Sequence, residues 1–201
     1  MLNKFFPDQS FKALLFDFDG TVADTMPAHL AAWNKALDKY DLSLSRDQHM
    51  SWAGRPTARI VEMMNQLHKT DINPEQFVKE KEAHYLASLG DVTTIKSVME
   101  IIQHYHGQIP MAIVTGSRRK IVELTMNQLG IQKYFDTLVC AEDYTQGKPA
   151  PDCFLMAAAK IQIAPADCLA FEDAVLGIEA AHTANMNCLK VTDDHSLVHT
   201  R

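Results

Sequence analysis

The residues ALLFDFDGTVADT, 13 to 25, place two acids, Asp17 and Asp19, at the end of an apolar run. A buried strand tolerates a carboxylate only where something compensates its charge. Side chains two apart along a strand leave on one face, about 6–7 Å apart, so both acids can address one ligand. A second apolar run, PMAIVT at 110–115, ends in Thr115-Gly116-Ser117 before a helical pattern. A hydroxyl and free amides at a helix start make an anion site. A third run, TLVCA, is followed by GKPAPD, where Gly147 and Pro149 stiffen the loop around Lys148. A fourth, CLAFE, ends in Glu172 and Asp173. Carboxylates gathered in this way repel unless a hard cation lies among them, and oxygen donors suit Mg²⁺. Mg²⁺ facing a phosphate site is phosphoryl-transfer chemistry.

The elements that must carry these residues are short buried strands separated by helical stretches. Besides the four runs, NCLKVT at 187–192 reads as a strand. SRRKIVELTMNQLG sets Ile121, Leu124 and Leu129 on one helical side and stops at Gly130. PDCFLMAAAKIQI and AVLGIEAAHTANM repeat the pattern, giving an α/β fold with a Rossmann-like, doubly wound parallel sheet. In such sheets ligands bind at the carboxyl ends of the strands, where the polar residues fall. The first two strands are separated by roughly 90 residues, too many for one crossover. That stretch reads as helices: Pro27 with Leu30, Trp33 and Leu37; Pro56 with Ile60, Met63 or Met64, and Leu67; Pro74 with Phe77 and Tyr85. It predicts an inserted helical lobe over 26–92 and a core formed by 1–25 and 93–201.

Composition narrows the function. A net charge of −6 lacks the clustered Lys and Arg that a nucleic acid requires. No apolar run approaches a membrane-spanning length, and the N-terminus lacks a secretory pattern. Cys140, Cys153, Cys168 and Cys188 contain no C-x-x-C pair and read as reduced core thiols, which places the protein in the cytoplasm. His104, His106, His195 and His199 have no ligand spacing and read as surface or packing residues.

DFDGT, VTGS, GKPAPD and FEDA, in this order, resemble the four motifs of the haloacid dehalogenase superfamily of phosphohydrolases. The helical insertion matches the position of that family's small cap. HLAAW, GRPTARI and HGQIPMAIVTGS extend the resemblance to the β-phosphoglucomutase-like branch and its bacterial fructose-1-phosphatase-type sugar phosphatases. The resemblance implies that Asp17 is the nucleophile, forming an aspartyl-phosphate. Asp19 is then general acid and base, with its backbone carbonyl on the metal, and suits both roles if its environment raises its pKa. Thr115 and Gly116, with Ser117, hold phosphate, and Lys148 neutralises the phosphate and aspartates. Asp173 binds Mg²⁺, with Glu172 as ligand or as acceptor for metal-held water. His29, Gly54, Arg55 and Lys81 reach the substrate from the linker and cap.

The implied activity is Mg²⁺-dependent hydrolysis of a small sugar phosphate by a monomer. Thr21 and Thr57 stand where the mutase pattern has Val and a phosphate-binding Arg, which favours hydrolysis over transfer. The alternatives are a phosphosugar mutase, which would need a bisphosphate activator, and a non-catalytic phosphosugar-binding protein on the same fold.

Overall fold

The computed structural model describes residues 2–7 and 10–200. Residues 13–16 are apolar at every position, so this segment suits a strand covered on both faces. It forms β1, Ala13–Phe16, with all four residues buried. The next elements are β2 (Ala23–Asp24), α1 (Met26–Leu37), α2 (Arg46–Ser51), α3 (Thr57–His68), α4 (Pro74–Ala87) and β3 (Thr93–Thr94). The chain then alternates through α5 (Lys96–Tyr105), β4 (Met111–Val114), α6 (Arg119–Leu129), β5 (Thr137–Val139) and α7 (Asp152–Lys160). It ends with β6 (Cys168–Glu172), α8 (Val175–Thr183), β7 (Asn187–Val191) and β8 (Leu197–His199).

The main sheet has the order β5-β4-β1-β6-β7-β8, parallel except for β8, which pairs antiparallel with β7. From β1 the chain moves outward on one side through β4 and β5, then crosses to β6 on the other. The reversal opens a crevice beyond the carboxyl ends of β1 and β6. The register opposes Phe16 to both Ile113 and Phe171, so the residues after Phe16, Val114 and Phe171 come together at one edge.

Alternation along β1 feeds two cores. Leu14, Phe16 and Phe18 enter a cluster with Val98, Ile102 and Val122 from α5 and α6. Ala13 and Leu15 enter another with Phe154, Ala157 and Ala181 from α7 and α8. A third cluster, with Trp33, Leu37, Ile60, Met64 and Phe77, lies among α1, α3 and α4. At both ends of this helical segment the chain passes through a two-stranded antiparallel ribbon, Ala23 opposite Thr94 and Asp24 opposite Thr93.

Some packing differs from the helical periodicity. Leu67 is 62% exposed, and Val61 and Met64 fill the buried face of α3. Leu124 is 40% exposed; Ile121, Val122, Thr125 and Met126 form the buried stripe of α6. In both helices the inward arc lies next to the residue the simple i, i+3 count selects. Pro56 precedes α3 in extended conformation instead of opening it. The ribbon and β8 were not apparent in the apolar pattern. Gly130 closes α6 in the left-handed region, φ 66°.

Candidate active site

The carboxyl ends of β1, β4 and β6 and the loop after β5 bring the polar strand-end residues together. Asp17 is fixed by its backbone, whose N–H donates to Phe171 O at 2.9 Å. Its Oδ1 accepts from Lys148 Nζ at 2.5 Å. The same ammonium donates to Glu172 Oε1 and to Val114 O. The second oxygen of Glu172 accepts the Ala174 N–H at 3.0 Å. Lys148 is thus buried between two carboxylates, the arrangement that makes a buried ammonium tolerable. Asp17 and Glu172 hold its pKa well above the ordinary value, against the effect of burial.

Asp17, Glu172 and Asp173 each offer an oxygen, all within 4.8 Å of one another. One lysine cannot neutralise three acids. Burial, with repulsion from Glu172, pushes Asp173 up to about 8. Burial also raises Asp17, beyond what Lys148 draws back, and Glu172, Asp173 and Asp19 add to the rise. A set of hard oxygen donors that would otherwise retain protons fits a divalent cation such as Mg²⁺. Glu172 is committed to Lys148 and the Ala174 amide, which leaves Asp173 and Asp17 as the available side-chain ligands. Thr21, fully buried, donates to Asp173 Oδ1 at 3.3 Å and turns it toward the cluster. Gly20, at φ +83°, passes so close to Asp173 that a Cβ would lie 2.5 Å from Oδ2.

Asp19 belongs to a different network. Its Oδ1 accepts from Thr25 Oγ1 at 2.7 Å and meets His29 Nε2 at 2.9 Å, and its Oδ2 accepts from Ser117 Oγ at 2.5 Å. Burial works to raise its pKa, but His29 and the hydrogen bonds from His29, Ser117 and Thr25 hold it well below the usual carboxylate range. The condition of a raised pKa is not met in this arrangement, because the residues that reach Asp19 all stabilise its anion.

Lys81, buried in the middle of α4, meets His29 Nδ1 at 2.8 Å. An ammonium has donors only, so His29 Nδ1 accepts and Nε2 carries the hydrogen that faces Asp19. Burial and Lys81 lower the His29 pKa against the pull of Asp19, and burial brings Lys81 down to about 8. Tyr85 stacks on the imidazole with centroids 4.2 Å apart.

Thr115, buried at the end of β4, accepts the Ser117 N–H at 3.0 Å, and its carbonyl accepts from Tyr144 Oη. Gly116 lies under the helical segment: a Cβ there would be 3.0 Å from Gly54 O. Gly54, at φ +84°, also packs over Lys148. Arg55 lines the same cavity, with its guanidinium donating to Ser51 O at 3.2 Å. The cavity has a volume of about 470 Å³ and runs from Asp17, Asp19 and Thr115 to walls that include Trp33, Trp52 and Ile60.

All twelve residues singled out in the sequence line this cavity or bond directly to one that does. Thr21, Thr25, Tyr85 and Tyr144 were missed as contributors. Thr25 stands in the quoted DGTVADT segment, but nothing local marks a threonine that caps a neighbouring carboxylate. The four remaining histidines named above join no metal-type cluster among the described residues.

The family model described as haloacid dehalogenase-like hydrolase matches residues 14–191. The fructose-1-phosphate phosphatase YqaB of Escherichia coli (strain K12) is 36% identical over 183 residues, covering 91% of this chain and 97% of that protein. The beta-phosphoglucomutase of Bacillus subtilis (strain 168) is 28% identical over 184 residues, 87% of this chain and 80% of its own. A crystal structure of beta-phosphoglucomutase from Clostridium difficile shares the fold, with TM-score 0.81 and 24% identity over 89% of this chain and 83% of that one.

Proposed function

We propose, from the premise that this chain belongs to the haloacid dehalogenase-like hydrolase family, that it hydrolyses small sugar phosphates of the fructose 1-phosphate type. Membership and its named phosphatase relatives make it a phosphomonoesterase. The sugar phosphate and the Mg²⁺ requirement are our own reading. The observation that carries it is the meeting of Asp17, Lys148, Asp173 and the Thr115–Ser117 loop at one end of a cavity walled by Trp33 and Trp52. The 36% identity to a fructose-1-phosphate phosphatase over nearly the whole chain supports the substrate class.

In this reading residues 26–92 are a cap over a core of 1–25 and 93–201, and they exclude bulk water from the bound ester. Thr115, Gly116 and Ser117 hold the phosphate oxygens. Lys148 orients Asp17 Oδ1 and offsets charge on phosphate. An oxygen of Asp17 attacks phosphorus as the bond to the sugar oxygen breaks, and Asp19 delivers a proton to that oxygen. Water then attacks the aspartyl-phosphate, Asp19 takes its proton, and the bond to Asp17 breaks. Asp17, Asp173 and the Asp19 carbonyl would hold a magnesium ion, whose charge would neutralise the phosphate. Because Asp19 rests as an anion, its proton must come with the substrate, whose negative phosphate raises Asp19 once bound beside it. The buried thiols suit a reducing cytoplasm, and the chain is expected to act as a monomer. Among the described residues no helix is long and apolar enough to cross a membrane.

The test is phosphate release from fructose 1-phosphate, β-glucose 1-phosphate and 6-phosphogluconate, with Mg²⁺ and with EDTA. Metal-dependent release with a preference among them is expected, and Asp17→Asn should abolish it while the variant keeps the folded circular-dichroism spectrum of the wild type. Isomerisation without release, dependent on a bisphosphate, would instead establish a mutase. Wild-type turnover by Asp17→Asn would remove the nucleophile assignment.

A further inference from the structure

The helix α2 buries a single residue, and that residue is a histidine. Its N-terminal end is ordered by a capping box, Ser45 with Gln48, and its other side chains face outward or are partly covered. A buried position on a one-and-a-half-turn helix ordinarily goes to an apolar side chain that anchors it. His49 is only 7% exposed, yet its imidazole has no hydrogen-bond partner among the described residues. Both ring nitrogens nonetheless escape full enclosure, since no enclosed side-chain nitrogen or oxygen lacks a partner. The ring lines the cavity that holds Asp17 and Asp19 at one end and Trp52 and Ile60 along its wall, and it also borders a second pocket with Met26, Met50 and Asp173.

We propose that His49 is a specificity-determining residue, whose imidazole hydrogen-bonds a hydroxyl of the group esterified to phosphate. The inference rests on the phosphatase reading above and deepens it. It selects, by chemistry, monoesters of neutral polyhydroxylated molecules over esters without a hydroxyl at that position. The charge state supports this. Burial, then repulsion from His29 and Lys81, brings His49 down to about 4 against the weaker pull of Asp19. At neutral pH the ring therefore offers one donor and one acceptor, which matches a hydroxyl and pairs poorly with a second phosphate. Two of the cavity's cations are engaged, Lys81 with His29 and Arg118 with Glu82 and Glu142, while Arg55 donates to Ser51 O and carries no ion pair among the described residues. A site built to bond a hydroxyl discriminates against ligands that lack one, because its own buried polar group is then left unpaired.

The experiment compares kcat/KM for fructose 1-phosphate with that for p-nitrophenyl phosphate, which has no hydroxyl, in wild type, His49→Leu and His49→Gln. The leucine variant should lose roughly tenfold on fructose 1-phosphate, the worth of one uncharged hydrogen bond, mostly through KM. On p-nitrophenyl phosphate it should stay within about twofold. Gln, which keeps a donor and an acceptor, should recover most of the loss, and it carries the test if the leucine variant fails to fold. Equal losses on both substrates, an unchanged ratio, or a glutamine variant that loses selectivity would overturn the inference and leave the phosphatase intact. A wild type that cleaves p-nitrophenyl phosphate but none of the sugar phosphates would overturn the sugar-phosphate reading, and this inference with it.

Discussion

Replacing Gly177 with Ala tests whether the Lys148 network is as tightly built as its geometry implies. Gly177 lies on α8, and a Cβ there would fall 1.7 Å from Glu172 Oε1 and 2.0 Å from Cδ, where ordinary contact begins near 3.4 Å. Glu172 is 1% exposed and tied at both oxygens, to Lys148 and to the Ala174 amide. It can retreat only by giving up those bonds. Helix propensity taken alone says that Gly→Ala inside a helix stabilises by about 1 kcal/mol. Disturbing a buried ion pair costs about 3–5 kcal/mol when one partner is left uncompensated. The expected net effect is therefore destabilisation by roughly 2–4 kcal/mol, a lower midpoint by roughly 5–15 °C for a chain of this size. The sign itself discriminates between the two effects. Urea unfolding of wild type and Gly177→Ala gives the difference directly, and phosphate release from the same preparations should fall because Lys148 no longer holds Asp17 in place. A variant as stable as wild type, or more so, would refute the packing argument and with it the claim that Glu172 is immobilised.

Two further outcomes follow from the charge arrangement. Lys81→Met removes the donor that fixes the His29 tautomer and the charge that lowers its pKa; kcat should drop roughly ten- to hundredfold. The acid limb of its pH profile should move to higher pH as His29 protonates more readily, and an unmoved limb would show that Lys81 does not act through His29. In the metal-free protein Asp173 titrates near 8 against 3.8 for an ordinary aspartate. A folded pKa above the unfolded one contributes stability that is present at low pH and lost as pH rises through it. Unfolding free energy in EDTA should accordingly fall between about pH 4 and pH 8, and saturating Mg²⁺ should flatten the slope. Calorimetry at several pH values checks this, and a slope unaffected by Mg²⁺ would remove the cation from the Asp17–Asp173 cluster.

The strand-end acids, the hydroxyl–glycine loop and Lys148 were legible because each is a local violation: a charge or hydroxyl at the end of a fully apolar run. The strands that hold them were legible for the same reason, since burial on both faces leaves an uninterrupted apolar string. What escaped depends on partners far away in the chain. The ribbon of Ala23–Asp24 with Thr93–Thr94 joins segments too short and mixed to show a period. The edge strand β8 is half exposed and carries no apolar string. Thr21 and Thr25 act only because the chain folds them back on Asp173 and Asp19. His49 follows no motif at all and stands out only once its burial is set beside its lack of partners. The ionisation of Asp19 was not legible, because burial alone raises a carboxylate and the donors that reverse it come from 6, 10 and 98 positions away.

That reversal bears on how the two aspartates divide the work. Asp17 is governed by Lys148 and Glu172, which both belong to the sheet framework. Asp19 is governed by His29 and Lys81, which belong to α1 and α4 in the helical segment, together with Ser117 from the sheet side. Displacing the helical segment would take His29 away from Asp19 and leave Lys148 on Asp17. In the proposed mechanism the nucleophile is thus set from the sheet side, whereas the acid–base residue takes its proton affinity from where the helices lie over it. A bound phosphate raises Asp19 and the loss of His29 raises it too, while exposure to water as the helices withdraw lowers it, so substrate and helix position both act on the same proton.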